Sequence, residues 1–100
     1  MGKAAPVLGF IGLGVMGSGM CANVVKKHGA PVHVFDMVAL AVAEQVEQGA
    51  IDAGSVAEVA KAAEIVFLSL PGGKQVAAVC EEIAGNARPG TVVVDLSTTC

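Results

Sequence analysis

Three glycines near the amino terminus have the spacing of a phosphate-binding loop. The segment Gly12-Leu13-Gly14-Val15-Met16-Gly17 stands between a short apolar run and a segment with helical periodicity. In such a loop Gly12 permits a tight turn off the strand, Gly14 leaves the backbone bare to a pyrophosphate, and Gly17 lets the helix pack closely. The unpaired N–H groups at the start of the helix face the phosphates. This context predicts that all six residues form a dinucleotide-binding loop rather than a flexible glycine-rich turn.

Asp36 ends the second apolar run, about 20 residues beyond this loop. A carboxylate at that position accepts hydrogen bonds from ribose hydroxyls and repels a 2′-phosphate. The next residue is Met37, not an arginine that would accommodate such a phosphate. Both features favour NAD over NADP as the cofactor. The simpler interpretation is an ordinary strand-end aspartate that caps the following helix.

Short apolar runs alternate with helical patterns along the whole chain. The predicted strands cover residues 7–11, 32–35, 50–51, 65–70 and 91–95. The predicted helices cover residues 15–28 and 39–48, a short segment capped by Ser55, and a segment stopped by Gly85. This alternation predicts a parallel sheet with helices on both faces. We expect one Rossmann-type doubly wound α/β domain over residues 1–100, with five strands in the order 3-2-1-4-5 and the cofactor over the carboxyl ends of strands 1 and 4.

The spacing of apolar residues also predicts which helix faces are buried. For the first, second and fourth helices these residues are, in turn, Met16, Met20 and Val24; Ala39, Val42, Ala43 and Val46; and Val76, Val79, Cys80 and Ile83. Cys21 and Cys80 are interpreted as core thiols, because no neighbouring base is evident in the sequence, and His28 and His33 as isolated histidines without a triad or metal set.

The composition excludes several classes of protein. The chain is 54% hydrophobic with 3% aromatic residues, which suits a buried parallel sheet and excludes disorder. Its net charge is −3 and its basic residues are scattered, so no nucleic-acid partner is expected. The uncharged stretch of residues 5–25 could suggest targeting, but Pro6, five glycines and Asn23 interrupt it, so no membrane partner is expected. Three scattered cysteines suit a cytoplasmic protein without a bound metal.

Two other classes of protein share part of this pattern. Methyltransferases that use S-adenosylmethionine also place glycines after a first strand and an acid after a second. They usually carry an acidic residue just before the glycines, where Phe10 and Ile11 stand here. A non-catalytic nucleotide-sensing module fits the residues discussed so far as well as an enzyme does.

Three motifs taken together resemble those of a known family. They are Gly9-Phe10-Ile11-Gly12-Leu13-Gly14-Val15-Met16-Gly17 followed by Met20 and Asn23, then Phe67-Leu68-Ser69-Leu70-Pro71, and then Asp95-Leu96-Ser97-Thr98. In this order, each at a strand end, they resemble the amino-terminal motifs of the β-hydroxyacid dehydrogenases, the family of 3-hydroxyisobutyrate dehydrogenase and, more distantly, 6-phosphogluconate dehydrogenase. The resemblance covers nearly all of the chain.

The resemblance implies further contacts with the cofactor. Leu70 and Pro71 match the family residues that lie along the dinucleotide. Gln75 stands where the family usually has an asparagine that touches it, which is a departure from the pattern. Ser97 and Thr98 match residues near the substrate carboxylate and the nicotinamide, with Thr98 also contacting the cofactor. Without the resemblance, this Ser-Thr pair would be interpreted as a helix cap.

The resemblance also implies a reaction. Family members oxidise short β-hydroxyacids, such as 3-hydroxyisobutyrate, or reduce semialdehydes such as tartronate semialdehyde, and a lysine serves as general acid/base. Neither Lys61 nor Lys74 matches the motif of that lysine, so no catalytic residue is assigned in this chain. The family's helical substrate domain, which also forms its dimer, has no counterpart here. We therefore expect an amino-terminal portion of a homo-oligomeric enzyme, inactive by itself.

Overall fold

Five short strands form one parallel sheet in the order β3-β2-β1-β4-β5. The computed structural model describes residues 5–27, 29–70 and 73–96, with the side chains of residues 15–18 excepted. The strands are β1 (Leu8–Ile11), β2 (Val32–Phe35), β3 (Ile51–Asp52), β4 (Ile65–Leu68) and β5 (Val92–Asp95). Every strand pair is parallel. The predicted doubly wound fold and strand order are confirmed.

Four helices alternate with these strands and cover both faces of the sheet. They are α1 (Val15–Lys27), α2 (Ala39–Gln48), α3 (Val56–Ala62) and α4 (Gly73–Asn86). One core cluster joins the sheet to α1 and α2, and a second joins it to α3 and α4. Parallel strands of this kind are buried on both sides, which is why they appear in the sequence as continuous apolar runs.

The central strand β1 contributes to both clusters, because successive side chains point to opposite faces. Phe10 belongs to the first cluster and stacks on Phe67 of β4, with ring centroids 5.0 Å apart. Gly9 faces α3, where an added Cβ would lie 2.5 Å from Cγ1 of Val59 and 2.9 Å from Cβ of Ala63. The absence of a side chain at residue 9 therefore sets how closely α3 packs on the sheet.

The predicted buried face of α2 is wrong. Val42 is buried, but Ala39, Ala43 and Val46 are exposed, and the other buried residue of this helix is Gln45. The helix ends in a left-handed Gly49, which lies against Val25 of α1. The sequence misled because α2 carries alanine and valine on both sides, and alanine is tolerated inside and outside.

The faces of α1 and α4 are also only partly as predicted. In α1, Val24 packs against the core and Cys21 is buried, while Met20 is exposed. Burial raises the pKa of the Cys21 thiol to about 12, as suits an inert core thiol. In α4, Ile83 is buried and Val76 and Val79 pack partly, but Cys80 is exposed, so its interpretation as a core thiol is wrong. That helix also passes through Gly85 and ends at Asn86.

Strand β5 lies at an edge of the sheet and pairs with β4. Val92 and Val93 on this strand are 52% and 40% exposed, although valine is common in buried strands. In the described parts of the chain, no helix has the length and apolar character needed to cross a membrane.

Candidate functional site

The carboxyl ends of β1, β2 and β4 lie side by side at one edge of the sheet. Ile11 is in register with Phe35 on one side and with Leu68 on the other. Hydrogen bonds continue past the strands: the Gly12 N–H donates to the Phe35 carbonyl at 2.9 Å, and the Ser69 N–H donates to the Ile11 carbonyl at 3.0 Å. The segments that follow these three strands are therefore held next to one another.

The segments after β1 and β4 lie where the order of the strands reverses across the sheet. From β1 the chain passes through α1 to β2 on one side, while β4 pairs with the other side of β1. In open α/β sheets, ligands bind at the carboxyl ends of the strands at such a switch point. The geometry therefore places the predicted loop at the edge where a nucleotide is expected.

Gly12 occupies a position that only glycine fits well. Its φ of +84° lies in the left-handed region. A Cβ on this residue would overlap the carbonyl oxygen of Ser69 and come within 2.8 Å of Cδ2 of Leu70. Leu70, one of the predicted site residues, thus lies directly over Gly12 and also packs against the second core cluster. The tight turn predicted at Gly12 is present.

Gly14 differs, because the protein itself leaves room for a side chain there. Among the side chains that the structure describes, an added Cβ would meet the Ser69 hydroxyl oxygen at 3.7 Å, an ordinary contact, and residue 14 is exposed. Immediately after it, the predicted residues Val15, Met16 and Gly17 form the start of α1, whose first turn contains no acidic residue. The exposed backbone at Gly14 lies next to the amino terminus of α1, in a space that a Cβ would partly fill. This space suits the phosphates of a dinucleotide.

Asp36 is bound to the glycine loop. Its Oδ2 accepts a hydrogen bond from the Leu13 N–H at 2.5 Å, and its Oδ1 accepts one from the Val38 N–H at 2.7 Å. The N-cap residue of α2 is Val38, so Asp36 is not the N-cap of that helix, although its Oδ1 is hydrogen-bonded to the N–H of the N-cap residue. The carboxylate instead stands at the sheet edge beside the loop.

The remaining predicted site residues are less fully described. Gln75 is exposed in the first turn of α4. Pro71, Ser97 and Thr98 lie outside the described residues, as do His28 and Cys100. The structure thus brings together Gly12, Leu13, Gly14, Asp36 and Leu70.

One residue of this edge was missed by sequence reasoning. Ser69 is half-buried, its carbonyl oxygen packs on Gly12, and its hydroxyl faces the open position at Gly14. The only signal in the sequence was its place in the motif that contains Leu70, which does not show where a side chain points.

The other ionisable groups do not extend the site. Lys61 lies in the last turn of α3 and pairs with Glu58, with 3.6 Å between Nζ and Oε2. His33 lies within β2, where burial lowers its pKa. Among residues 5–27, 29–70 and 73–96, no three His, Cys, Asp or Glu residues are grouped so that they could hold a metal ion.

Comparison with known proteins gives a consistent family of matches. Residues 7–100 match the family model of the NAD binding domain of 6-phosphogluconate dehydrogenase. A 2-(hydroxymethyl)glutarate dehydrogenase of Eubacterium barkeri is 40% identical over 94 residues, which cover 91% of this chain and 31% of that protein. A probable mitochondrial 3-hydroxyisobutyrate dehydrogenase of Dictyostelium discoideum is 42% identical over 99 residues, covering 96% of this chain and 30% of that protein.

A solved structure agrees with the sequence matches. The 3-hydroxyisobutyrate dehydrogenase of Mycobacterium tuberculosis, determined with L-serine, superposes with a TM-score of 0.89 at 33% identity. The match covers 95% of this chain and 32% of that one. The chain therefore spans about a third of the length of the proteins that it matches.

Proposed function

Because the chain belongs to the family of the NAD-binding domain of 6-phosphogluconate dehydrogenase, we propose that it binds NAD as the amino-terminal portion of an enzyme that oxidises a short β-hydroxyacid. The observation that carries this proposal is the open position at Gly14, beside the start of α1 and at the sheet's switch point. The packing of the described residues does not require a glycine there, whereas a phosphate against the backbone does.

Each predicted site residue has a role in this proposal. Gly12 shapes the turn, and the N–H groups at the start of α1 bind the pyrophosphate. The residues proposed to contact the cofactor are Gly12, Leu13, Gly14, Val15, Met16, Gly17, Asp36, Leu70, Pro71, Gln75 and Thr98. Ser97 and Thr98 are proposed to bind the substrate.

The preference for NAD over NADP rests on Asp36 and its neighbour. The Asp36 carboxylate is fixed by two backbone N–H groups, so it cannot readily move aside for a 2′-phosphate. Met37 is 91% exposed and supplies no cation for such a phosphate. The proposed contact is from the ribose hydroxyls to Asp36, which the carboxylate geometry suits.

The compounds named for three of the matched proteins support the proposed substrate class. Hydroxymethylglutarate and hydroxyisobutyrate, and the L-serine of the solved structure, all carry a hydroxymethyl group on the carbon next to a carboxylate. We propose that the complete enzyme removes a hydride from the hydroxymethyl carbon and a proton from its hydroxyl, leaving a semialdehyde. Bound NAD⁺ would supply the acceptor for that hydride.

The proton acceptor is proposed to lie outside this chain. Lys61 belongs to the last turn of α3, which leads into the amino end of β4 and therefore lies away from the candidate site. Lys74 is exposed in α4 and does not match the family's lysine motif. We therefore expect no measurable turnover of 3-hydroxyisobutyrate by the 100-residue chain, although it binds cofactor.

Titration of the chain with NADH and NADPH tests the cofactor proposal. We expect NADH to bind at least tenfold more tightly, a difference of about 1.4 kcal/mol, and Asp36→Ala to narrow that difference. Asp52→Ala is the matched control, because Asp52 forms a similar strand-end turn with Gly54 away from the loop. Since the chain has no tryptophan or tyrosine, nicotinamide fluorescence can be read with little protein background.

Two results would contradict this assignment. Equal affinities for NADH and NADPH in the unmodified chain would refute the role of Asp36 in selectivity. Binding of S-adenosylmethionine without binding of NADH would instead support the methyltransferase alternative.

Two broader features complete the proposal. We propose a cytoplasmic location, supported by the free thiols of Cys21 and Cys80, which suit a reducing compartment. We also propose that the complete enzyme is a homo-oligomer without a nucleic-acid or membrane partner, which rests on the family resemblance and the scattered charges.

A further inference from the structure

The Asp36 carboxylate joins two segments that lie far apart in the chain. Its Oδ1 accepts the Val38 N–H within its own turn, which fixes the orientation of the side chain. Its Oδ2 is thereby directed at the Leu13 N–H, 23 positions away in the sequence. A hydrogen bond to an ionised acceptor is stronger than one between neutral groups.

The loop that receives this hydrogen bond is rich in glycine, so its backbone depends on attachments to the rest of the protein for its order. Leu13 stands between two glycines, and glycine backbones have more conformational freedom than those of any other residue. The Leu13 side chain is buried in the first core cluster, at 5% exposure, and its N–H is held by Asp36. Both attachments fix the residue that immediately precedes Gly14 and the start of α1.

We infer that Asp36 is a positioning residue for the phosphate-binding loop, in addition to any contact that it makes with ribose. Its Oδ2 holds Leu13 so that the N–H groups following Gly14 are ordered before the ligand arrives. Ligand binding then loses less conformational entropy, which raises affinity for the phosphates. This inference rests on the proposed function, because it assigns a second role at the same site.

The two roles of Asp36 differ in what they predict for a ligand without ribose hydroxyls. A carboxylate that only accepts hydrogen bonds from those hydroxyls contributes nothing to the binding of such a ligand. Its removal would even favour a polyphosphate, because a nearby negative charge disappears. A carboxylate that positions the loop contributes to binding of every ligand whose phosphates use the loop.

The test measures the affinities of ADP and 2′,3′-dideoxyadenosine diphosphate by calorimetry for the unmodified chain, Asp36→Ala and Asp52→Ala. We expect Asp36→Ala to weaken binding of the dideoxy ligand at least roughly fivefold, because one charge-assisted hydrogen bond is lost. We expect Asp52→Ala to leave that affinity unchanged. Unchanged or tighter binding of the dideoxy ligand to Asp36→Ala would overturn the inference. If the unmodified chain bound neither ADP nor NADH, the proposed function would fail instead.

A second measurement needs no ligand, so it tests the positioning role in either case. In Asp36→Ser the single hydroxyl can keep the turn with Val38 but is too short to hold Leu13 as well. We expect hydrogen exchange at the Leu13 amide to become roughly tenfold faster, with no change at Phe10 in the sheet. Equal Leu13 exchange rates in the unmodified chain and Asp36→Ser would refute the inference, and faster exchange at both amides would show general destabilisation instead of positioning.

Discussion

Gly12 and Gly14 belong to the same motif, yet different forces require them. At Gly12 the backbone has positive φ, and the chain after β4 occupies the space of a side chain. At Gly14 the nearest group of the described residues that a Cβ would meet is the Ser69 hydroxyl at 3.7 Å, an ordinary contact. The first glycine is needed by the fold, and the second is proposed to be needed only by the ligand.

Alanine at each of these positions separates the two requirements. Gly12→Ala should lower the free energy of unfolding by about 2–4 kcal/mol, from left-handed backbone strain and steric overlap. Gly14→Ala should change it by less than about 1 kcal/mol, while raising the Kd for NADH roughly tenfold or more. Urea denaturation measures the change in stability of each variant, and titration with NADH measures its Kd. A Gly14→Ala variant that unfolds like Gly12→Ala would contradict the distinction.

At this scale the sequence predicted the residues of the motif better than their neighbours. The positions of the loop after β1 and of Asp36 after β2 agree with the prediction, because the spacing of the glycines and of this aspartate is a local pattern of the sequence. Ser69 and Gly9 were not assigned roles, because their contacts depend on the register of β1 with β4 and on the packing of α3. No local pattern in a single sequence encodes either of these.

Among the elements, α3 shows how a short helix is stabilised. It has seven residues, too few to be stable alone, and Ser55 caps it by accepting the Glu58 N–H at 3.1 Å. Its buried residues Val59 and Ala60 supply the packing against the sheet. The sequence predicted this cap correctly, because a serine followed three residues later by a glutamate is a strong signal of a helix start.

Removing that cap should be measurable, whereas removing the nearby ion pair should not. Ser55→Ala should lower the free energy of unfolding by about 1 kcal/mol. Lys61→Ala removes an exposed pair with Glu58 and should cost less than about 0.5 kcal/mol. The urea concentrations at the midpoints of unfolding compare the two variants, provided that their denaturant slopes are equal. A larger loss of stability in Lys61→Ala than in Ser55→Ala would contradict this ranking.

For the whole molecule, the sequence predicted the topology more reliably than the faces of the helices. Runs such as Ile65–Leu68 are short, apolar and followed by turn residues, and right-handed crossovers then leave few possible sheets. The burial of α2 was mispredicted because alanine and valine occur on both sides of the helix, so tertiary packing chooses between two nearly equal faces. The family resemblance from three motifs is confirmed by the match over residues 7–100.

The edge strand β5 predicts that the chain associates with itself in solution. Val92 and Val93 are exposed on β5, and its four residues include no lysine or proline to discourage pairing with another chain. We expect self-association to increase with protein concentration, and we expect the Val93→Lys substitution to reduce it. Sedimentation velocity measures both effects. Glu81→Gln changes the net charge equally on an exposed helix position and is the control. Equal association of both variants would show that β5 is not involved.

The close approach of Gly9 to α3 has a consequence for how such a domain would diverge over evolutionary time. A descendant that no longer used a nucleotide would be released from selection at Gly14, where a methyl group fits. Selection would continue to act at Gly9, because Val59 and Ala63 leave no space for a methyl group there. Mutation would therefore erase the motif unevenly, and an inactive lineage would be recognised by a conserved Gly9 and a variable residue 14.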